Sequence, residues 1–216
     1  MISKICYIIL ICLLFLVVSL SDKGNCQSPQ LFRGITDRKV LPLLKHLPST
    51  YGGMNVPAVD GRLLYDTIIK KGYKRGLEIG TSNGYSSLWL GLAFIKTGGT
   101  LITLEIEPNR AREAQANFKK AGLDPIIDSR ICDAIAEIPK IKGEFDFVFI
   151  DAWKSDYLEF FHLVKERIKP GGVIAAHNVS NARGEMADFL QAIQSDSSFT
   201  TVIDKTSYAG VSLSFK

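Results

Sequence analysis

The sequence predicts an α/β fold: a doubly wound, mostly parallel sheet with helices on both faces and a terminal antiparallel strand pair. Three observations point there. Short apolar runs alternate with longer segments of helical spacing, the first of these runs breaks through glycines into a helix, and several runs end on an acid or an amide.

The elements follow in order. Ser28 to Arg38 is a polar connector, and Val40 to His46 reads as a short helix stopped by Pro48. Tyr51-Gly52-Gly53-Met54-Asn55-Val56 has the glycine content of a ligand-facing loop. Pro57 opens a helix that runs to Lys71 and stops at Gly72. Arg75 to Ile79 is the first interior strand, Gly80 and Gly84 punctuate its bend, and Ser86 to Ile95 resumes as helix. Thr100 to Ile106 is strand, Pro108 to Ala121 is an amphipathic helix ended by Gly122, and Ile126 to Ile131 and Phe145 to Ile150 are strands. Tyr157 to Ile168 is helix, Pro170-Gly171-Gly172 a break, Val173 to Ala176 a fifth strand and Glu185 to Ile193 a helix. Thr200 to Ile203 and Val211 to Phe215 close the chain as the antiparallel pair.

The 216 residues, 46% apolar and 22% charged, suit one globular domain with a short appendage. Lys4 precedes an uninterrupted apolar run from Ile5 to Leu20, between a signal-peptide core and a full membrane span in length. The expected division is therefore 1–26 as signal peptide or membrane anchor, 27–50 as connector and short helix, and 51–216 as the functional domain. The protein is then exported or anchored, its side of the membrane left open. A net charge of +4, with Lys70, Lys71, Lys74 and Arg75 at a helix end, gives no basic stripe interleaved with aromatics, so nucleic acid is not an expected partner. Of four cysteines only Cys132 lies inside the domain, which excludes an internal disulfide there and a C-x-x-C metal pair.

In a parallel sheet of this kind ligands collect outside the carboxyl ends of the strands. Glu78, Glu105, Asp133, Asp151 and His177-Asn178 all fall at or just past such ends. The Gly80 to Ser86 turn exposes backbone N–H groups and a helix N-terminus to a nucleotide-like ligand, but lacks the G-x-G-x-x-G spacing of a dinucleotide loop. Glu105, with Glu107 as competitor, ends the second strand where an acid accepts hydrogen bonds from a ribose diol. Asp151 and Asn178 could ligate a divalent cation or cap the segments that follow. Trp153 could stack on a flat ring or belong to the packing, and Lys154 could take a proton if its environment depressed its basicity.

The motifs E-I-G-T-x-x-G-Y-S, T-L-E-I-E-P, F-I-D-A-W-K-x-x-Y and G-G-V-I-A-x-x-N-V, in that order, resemble the small class I O-methyltransferases of the catechol and caffeoyl-CoA type, which have a Rossmann-like fold. The resemblance runs from about Met54 to the C-terminus. It implies S-adenosylmethionine as cofactor and a hydroxyl of a small, aromatic molecule as methyl acceptor. It carries the methionine end of the cofactor to Met54, Asn55, Val56 and Glu78 and to the loop residues Gly80, Thr81, Ser82, Gly84, Tyr85 and Ser86. Glu105, with Ile106, matches the ribose site; Asp133 with Ala134, and Trp153 beside Asp151, match the adenine side. Asp151, His177 and Asn178 stand at the family's metal positions, and Lys154 at its general base.

This chain has His177-Asn178 where the family has Asp-Asn. Imidazole is a poor ligand for magnesium and a good one for zinc, iron, nickel or copper, so the metal has changed or been lost, or His177 serves as the base, or the ring is a structural histidine satisfied by local hydrogen bonds. Gly52-Gly53 replaces the aromatic wall of the catechol pocket, and no C-terminal acid offers itself to a second hydroxyl, so catechol itself is not implied. The competing readings are a membrane-tethered cofactor binder without turnover and a nicotinamide-dependent oxidoreductase. A homodimer is compatible with all three.

Overall fold

The computed structural model of the chain describes residues 30–50 and 55–216. The apolar leader, Cys6, Cys12, Cys26 and the loop residues Tyr51, Gly52, Gly53 and Met54 lie outside the described residues. Among the described residues no helix is long and apolar enough to cross a membrane.

Helix α1 (Val40–His46) continues through Pro48 as a 3-10 turn, since a proline at the start of a new turn has no N–H to lose. Helix α2 (Ala58–Lys71) ends at Gly72 in the left-handed conformation, whose N–H satisfies the carbonyls of Ile68 and Ile69. Then follow β1 (Arg75–Ile79), α3 (Tyr85–Thr97), β2 (Thr100–Glu105), α4 (Pro108–Ala121), β3 (Ile127–Ile131), the single turn α5 (Ala134–Glu137), β4 (Phe145–Ile150), α6 (Tyr157–Val164), β5 (Ile168–His177), α7 (Ala187–Ser195), β6 (Thr200–Asp204) and β7 (Val211–Phe215). The sheet order is β3-β2-β1-β4-β5-β7-β6, parallel from β3 to β5 and antiparallel at β5–β7 and β7–β6.

Both faces of β1 and β4 are covered, so these strands read as continuous apolar runs. Leu77, Ile79, Val148 and Ile150 pack into the cluster built with Tyr157, Phe160 and Phe161 of α6 and Phe189, Leu190 and Ile193 of α7. The alternate residues face α3: a Cβ on Gly76 would overlap Phe94, and Glu78 meets Ser86 and Ser87.

Two boundaries differ most from expectation. Strand β5 begins at Ile168 rather than Val173, because Pro170-Gly171-Gly172 is a bulge inside the strand: the register with β4 shifts between Phe145↔Ile168 and Phe147↔Val173. Gly171 takes φ +79° there, and its carbonyl accepts from Tyr73 Oη. Helix α6 stops at Val164, and the next turn is 3-10. That turn directs the Arg167 guanidinium to the carbonyls of Ile138, Ile141 and Gly143.

Candidate active site

The sheet order reverses between β1 and β4, since β1, β2 and β3 run outward one way and β4 and β5 the other. A crevice opens at such a switch point, and the register decides what faces it. Ile79 pairs with both Leu104 and Ile150, and Ile150 with Ala176. The next residues along the four strands are therefore neighbours: Gly80, Glu105, Asp151 and His177. Backbone bonds knit this rim, from Gly80 N–H to Leu104 O (2.9 Å) and from Asp151 N–H to Ile79 O (2.9 Å).

A cavity of about 540 Å³ lies over the rim. Asn55 and Val56 line it, as do Gly80, Thr81, Ser82, Tyr85 and Ser86 from the first turn and Glu105 and Ile106 from the second strand end. Asp133 and Ala134 line it beyond β3, and Asp151, Trp153, Lys154 and Asn178 beyond β4 and β5. Three residues expected at the ligand are elsewhere. Gly84 is a packing glycine, where a Cβ would lie 2.7 Å from Phe118 Cε1 and 3.1 Å from Ala114 Cβ of α4. Glu78 and His177 are buried and do not line the cavity.

The glycine turn is tight because it must be. Gly80 has φ +97°, Ser82 +50° and Gly84 +86°, with Gly84 N–H bonded to Thr81 O at 2.9 Å. At Gly80 a side chain would run into the Asp151 carbonyl, so the turns after β1 and β4 touch through backbone. Glu105 Oε2 accepts from Ser82 N–H (2.7 Å) and Oε1 from Glu107 N–H (2.9 Å), fixing this acid against the glycine loop. Glu107, its competitor, instead caps α4 by accepting from Asn109 N–H. Asp133 caps α5 through Ile135 N–H (2.9 Å) while facing the cavity. Trp153 is 74% exposed, a ring on the cavity edge rather than in the core.

Glu78 supports the turn from behind. Its carboxylate accepts from Ser86 Oγ (2.6 Å), Thr103 Oγ1 (2.6 Å) and Ser87 Oγ, and Thr103 Oγ1 also meets Thr81 Oγ1 at 2.5 Å. Burial pushes its pKa up to about 7 against the pull of the three hydroxyls, with the Asp151 charge adding to the rise.

At the reactive end, Lys154 Nζ spends its three hydrogens on Asp151 Oδ1 (3.1 Å), Ala152 O (3.1 Å) and Tyr157 Oη (3.0 Å). His177, 4% exposed, is held between two acids: Nε2 bonds Asp60 Oδ2 at 2.9 Å, and Nδ1 lies 3.3 Å from Asp151 Oδ2, an ion-pair distance off the line of a hydrogen bond. Burial alone would push the ring's pKa down, but the two carboxylates, Asp151 at ion-pair distance and Asp60 hydrogen-bonded, outweigh it and lift it to about 9. The same contacts with His177 and Lys154 hold Asp151 below the usual carboxylate range although burial opposes them. Asp60, in the first turn of α2, also accepts from Ser207 Oγ (2.7 Å). Neither residue is signalled by a motif, since Asp60 and His177 are 117 positions apart and Asp60 and Ser207 147.

A family model described as O-methyltransferase matches residues 40–195. The chain belongs to this family. A catechol O-methyltransferase of Niastella koreensis is 42% identical over 110 residues, which is 49% of each chain, so this alignment spans about half the length of either protein. A caffeoyl-CoA O-methyltransferase of Stellaria longipes is 30% identical over 193 residues, 79% of each chain. Among solved structures, the O-methyltransferase TomG of Streptomyces achromogenes, determined in complex with SAM, superposes with a TM-score of 0.72 at 26% identity, covering 82% of this chain and 89% of that one.

Membership of the O-methyltransferase family implies S-adenosylmethionine as cofactor, the molecule bound in the TomG structure. The cavity fits that cofactor. Buried Ser82 Oγ, on the cavity lining, has no partner among the described residues, Glu105 has lone pairs left for a diol, and exposed Trp153 offers a face to a flat ring. Magnesium fits poorly. Hard cations take several oxygens, yet only Asp151 and Asn178 of the three expected ligands reach the cavity, and the Lys154 ammonium already stands on Asp151. Among the described residues no group of three His, Cys, Asp or Glu is arranged to hold a metal ion.

Proposed function

We propose that the protein transfers a methyl group from S-adenosylmethionine to a hydroxyl of a small aromatic molecule, with the cofactor over the Gly80 and Glu105 side of the cavity and the acceptor at Asp151 and Lys154. One observation carries this reading: the glycine turn, the ribose-binding acid and an Asp151–Lys154 ion pair all line a single cavity at the switch point.

When bound, the cofactor supplies an electrophilic sulfonium methyl; the new C–O bond forms as the C–S bond breaks, and sulfur keeps the electron pair. The chain's own residues hold the partners in line, a contribution of up to about 7 to 11 kcal/mol in well-oriented reactions. Asn55 and Val56 close one side of the cavity and Trp153 its outer edge. Lys154, whose hydrogens are already shared among three acceptors, enters as a fixed cation that favours the acceptor's ionised oxygen rather than as the base expected from the sequence. The hydroxyl proton leaves to water at the cavity mouth. His177, buried behind Asp151, keeps that carboxylate ionised and turned toward Lys154.

Calorimetry with S-adenosylmethionine, then a screen of phenols with product mass measured, tests the proposal. Methylation of a phenol oxygen supports it. Tight cofactor binding with no transfer to any phenol would favour the tethered binder instead. The export or membrane anchoring expected from residues 1–26, and the homodimer, belong to the same proposal; fractionation with protease protection and light scattering test them.

A further inference from the structure

The position that differs from the family's metal set is built into a relay whose buried far end, Asp60 and Ser207, lies outside the sequence motifs. Its members run Ser207–Asp60–His177–Asp151–Lys154. Ser207 Oγ donates to Asp60 Oδ2 at 2.7 Å, His177 Nε2 bonds the same oxygen at 2.9 Å, His177 Nδ1 stands 3.3 Å from Asp151 Oδ2, and Lys154 Nζ donates to Asp151 Oδ1 at 3.1 Å. Asp60 is 1% exposed and His177 4%, and neither lines the cavity. Each carboxylate oxygen of Asp151 therefore faces a nitrogen group, Lys154 on the cavity side and His177 behind. A divalent ion at Asp151 would have to displace the ammonium, and its remaining cavity-facing ligand would be the neutral amide of Asn178.

We propose that methyl transfer by this chain needs no divalent cation, because Lys154 and the His177 ring close both oxygens of Asp151, and that Asp60 is the positioning residue that holds the ring there. The inference rests on the functional reading above and deepens it: Lys154, aimed by Asp151, does for the acceptor's oxygen what an ion would otherwise do. Asp60 acts at two removes. It fixes the ring by one hydrogen bond and is itself fixed by Ser207, whose Oγ also accepts from Gly210 N–H at 3.1 Å, so the β6–β7 connection anchors the relay. Asp60 touches neither cofactor nor acceptor.

The test uses the purified full chain saturated with S-adenosylhomocysteine. Magnesium and zinc, titrated separately in a calorimeter, should give no saturable binding, and chelator-dialysed protein should methylate its best phenol within twofold of the untreated rate. Micromolar, one-to-one uptake of either ion overturns the proposal, as does a tenfold or greater loss of rate on chelation restored by that ion. For the positioning role, Asp60→Asn should lower kcat by ten- to a hundredfold while leaving KM for S-adenosylmethionine within twofold. An unchanged kcat, or parallel loss of kcat and cofactor affinity, overturns that role. Should no phenol be methylated, the functional reading fails by itself, and the ion titration still decides whether the Asp151 site takes a metal.

Discussion

Replacing Glu78 by glutamine isolates the effect of one buried acid on folding. Its pKa rises from 4.5 to about 7 because burial strips water from the charged form, while the Ser86, Ser87 and Thr103 hydroxyls recover only part of that loss. The native state therefore holds a proton between those values that the unfolded chain has released, so the contribution of Glu78 to stability is fully present below about pH 4.5 and is lost as pH rises through about 7. A shift of this size corresponds to about 3 kcal/mol. Other acids slope the opposite way: Asp146 and Asp151 are held low, and their contributions are lost on acidification. They are common to both proteins and cancel in the difference. Guanidinium melts of wild type and Glu78→Gln, stepped from about pH 4 to about pH 8, should show wild type losing about 3 kcal/mol relative to the variant across that range. The amide has no charge to desolvate; the Ser87 and Thr103 hydroxyls can turn to accept its two hydrogens while its oxygen still accepts from Ser86. A difference that stays flat with pH would show that the carboxylate is ionised at little expense, and the account of how the glycine turn is supported would fall with it.

Three further outcomes follow from the same geometry. Gly80→Ala should destabilise the fold by about 2 to 4 kcal/mol, through the φ +97° backbone and the overlap with the Asp151 carbonyl, and should abolish cofactor binding; a melt within about 0.5 kcal/mol of wild type refutes it. Glu105→Ala should weaken S-adenosylmethionine by roughly ten- to a hundredfold in calorimetry, the worth of about 1.5 to 3 kcal/mol of charge-assisted hydrogen bonding, and an unchanged Kd would remove Glu105 from the ribose site. The stability that His177 draws from Asp60 and Asp151 should be fully present below about pH 6.5 and lost as pH rises through about 9; the loss should be smaller in Asp60→Asn, and equal loss in both proteins would count against the ion pair.

The rim was legible in the sequence for a simple reason. A parallel sheet aligns the carboxyl ends of its strands, so residues that follow apolar runs must gather even when far apart in the chain, as Gly80, Glu105 and Asp151 do. The glycine positions were harder to separate. Gly80 meets the Asp151 backbone and Gly84 meets Phe118, two different constraints that look alike as letters. Strand β5 was read too short because Pro170-Gly171-Gly172 ordinarily signals a break, whereas the chain absorbs it as a bulge. Asp60 was invisible for a deeper reason: in the first turn of a helix an aspartate reads as a dipole-compatible surface acid. Only tertiary packing brings it to His177 and Ser207.

The two tryptophans make the molecule its own optical gauge. Trp89 is sealed in the core at 0% exposure and Trp153 stands 74% open at the cavity edge, so a collisional quencher such as iodide should darken only the second. An adenine ring stacked on that indole would screen it from the quencher, letting occupancy be followed by light alone, without a label and before any acceptor is known.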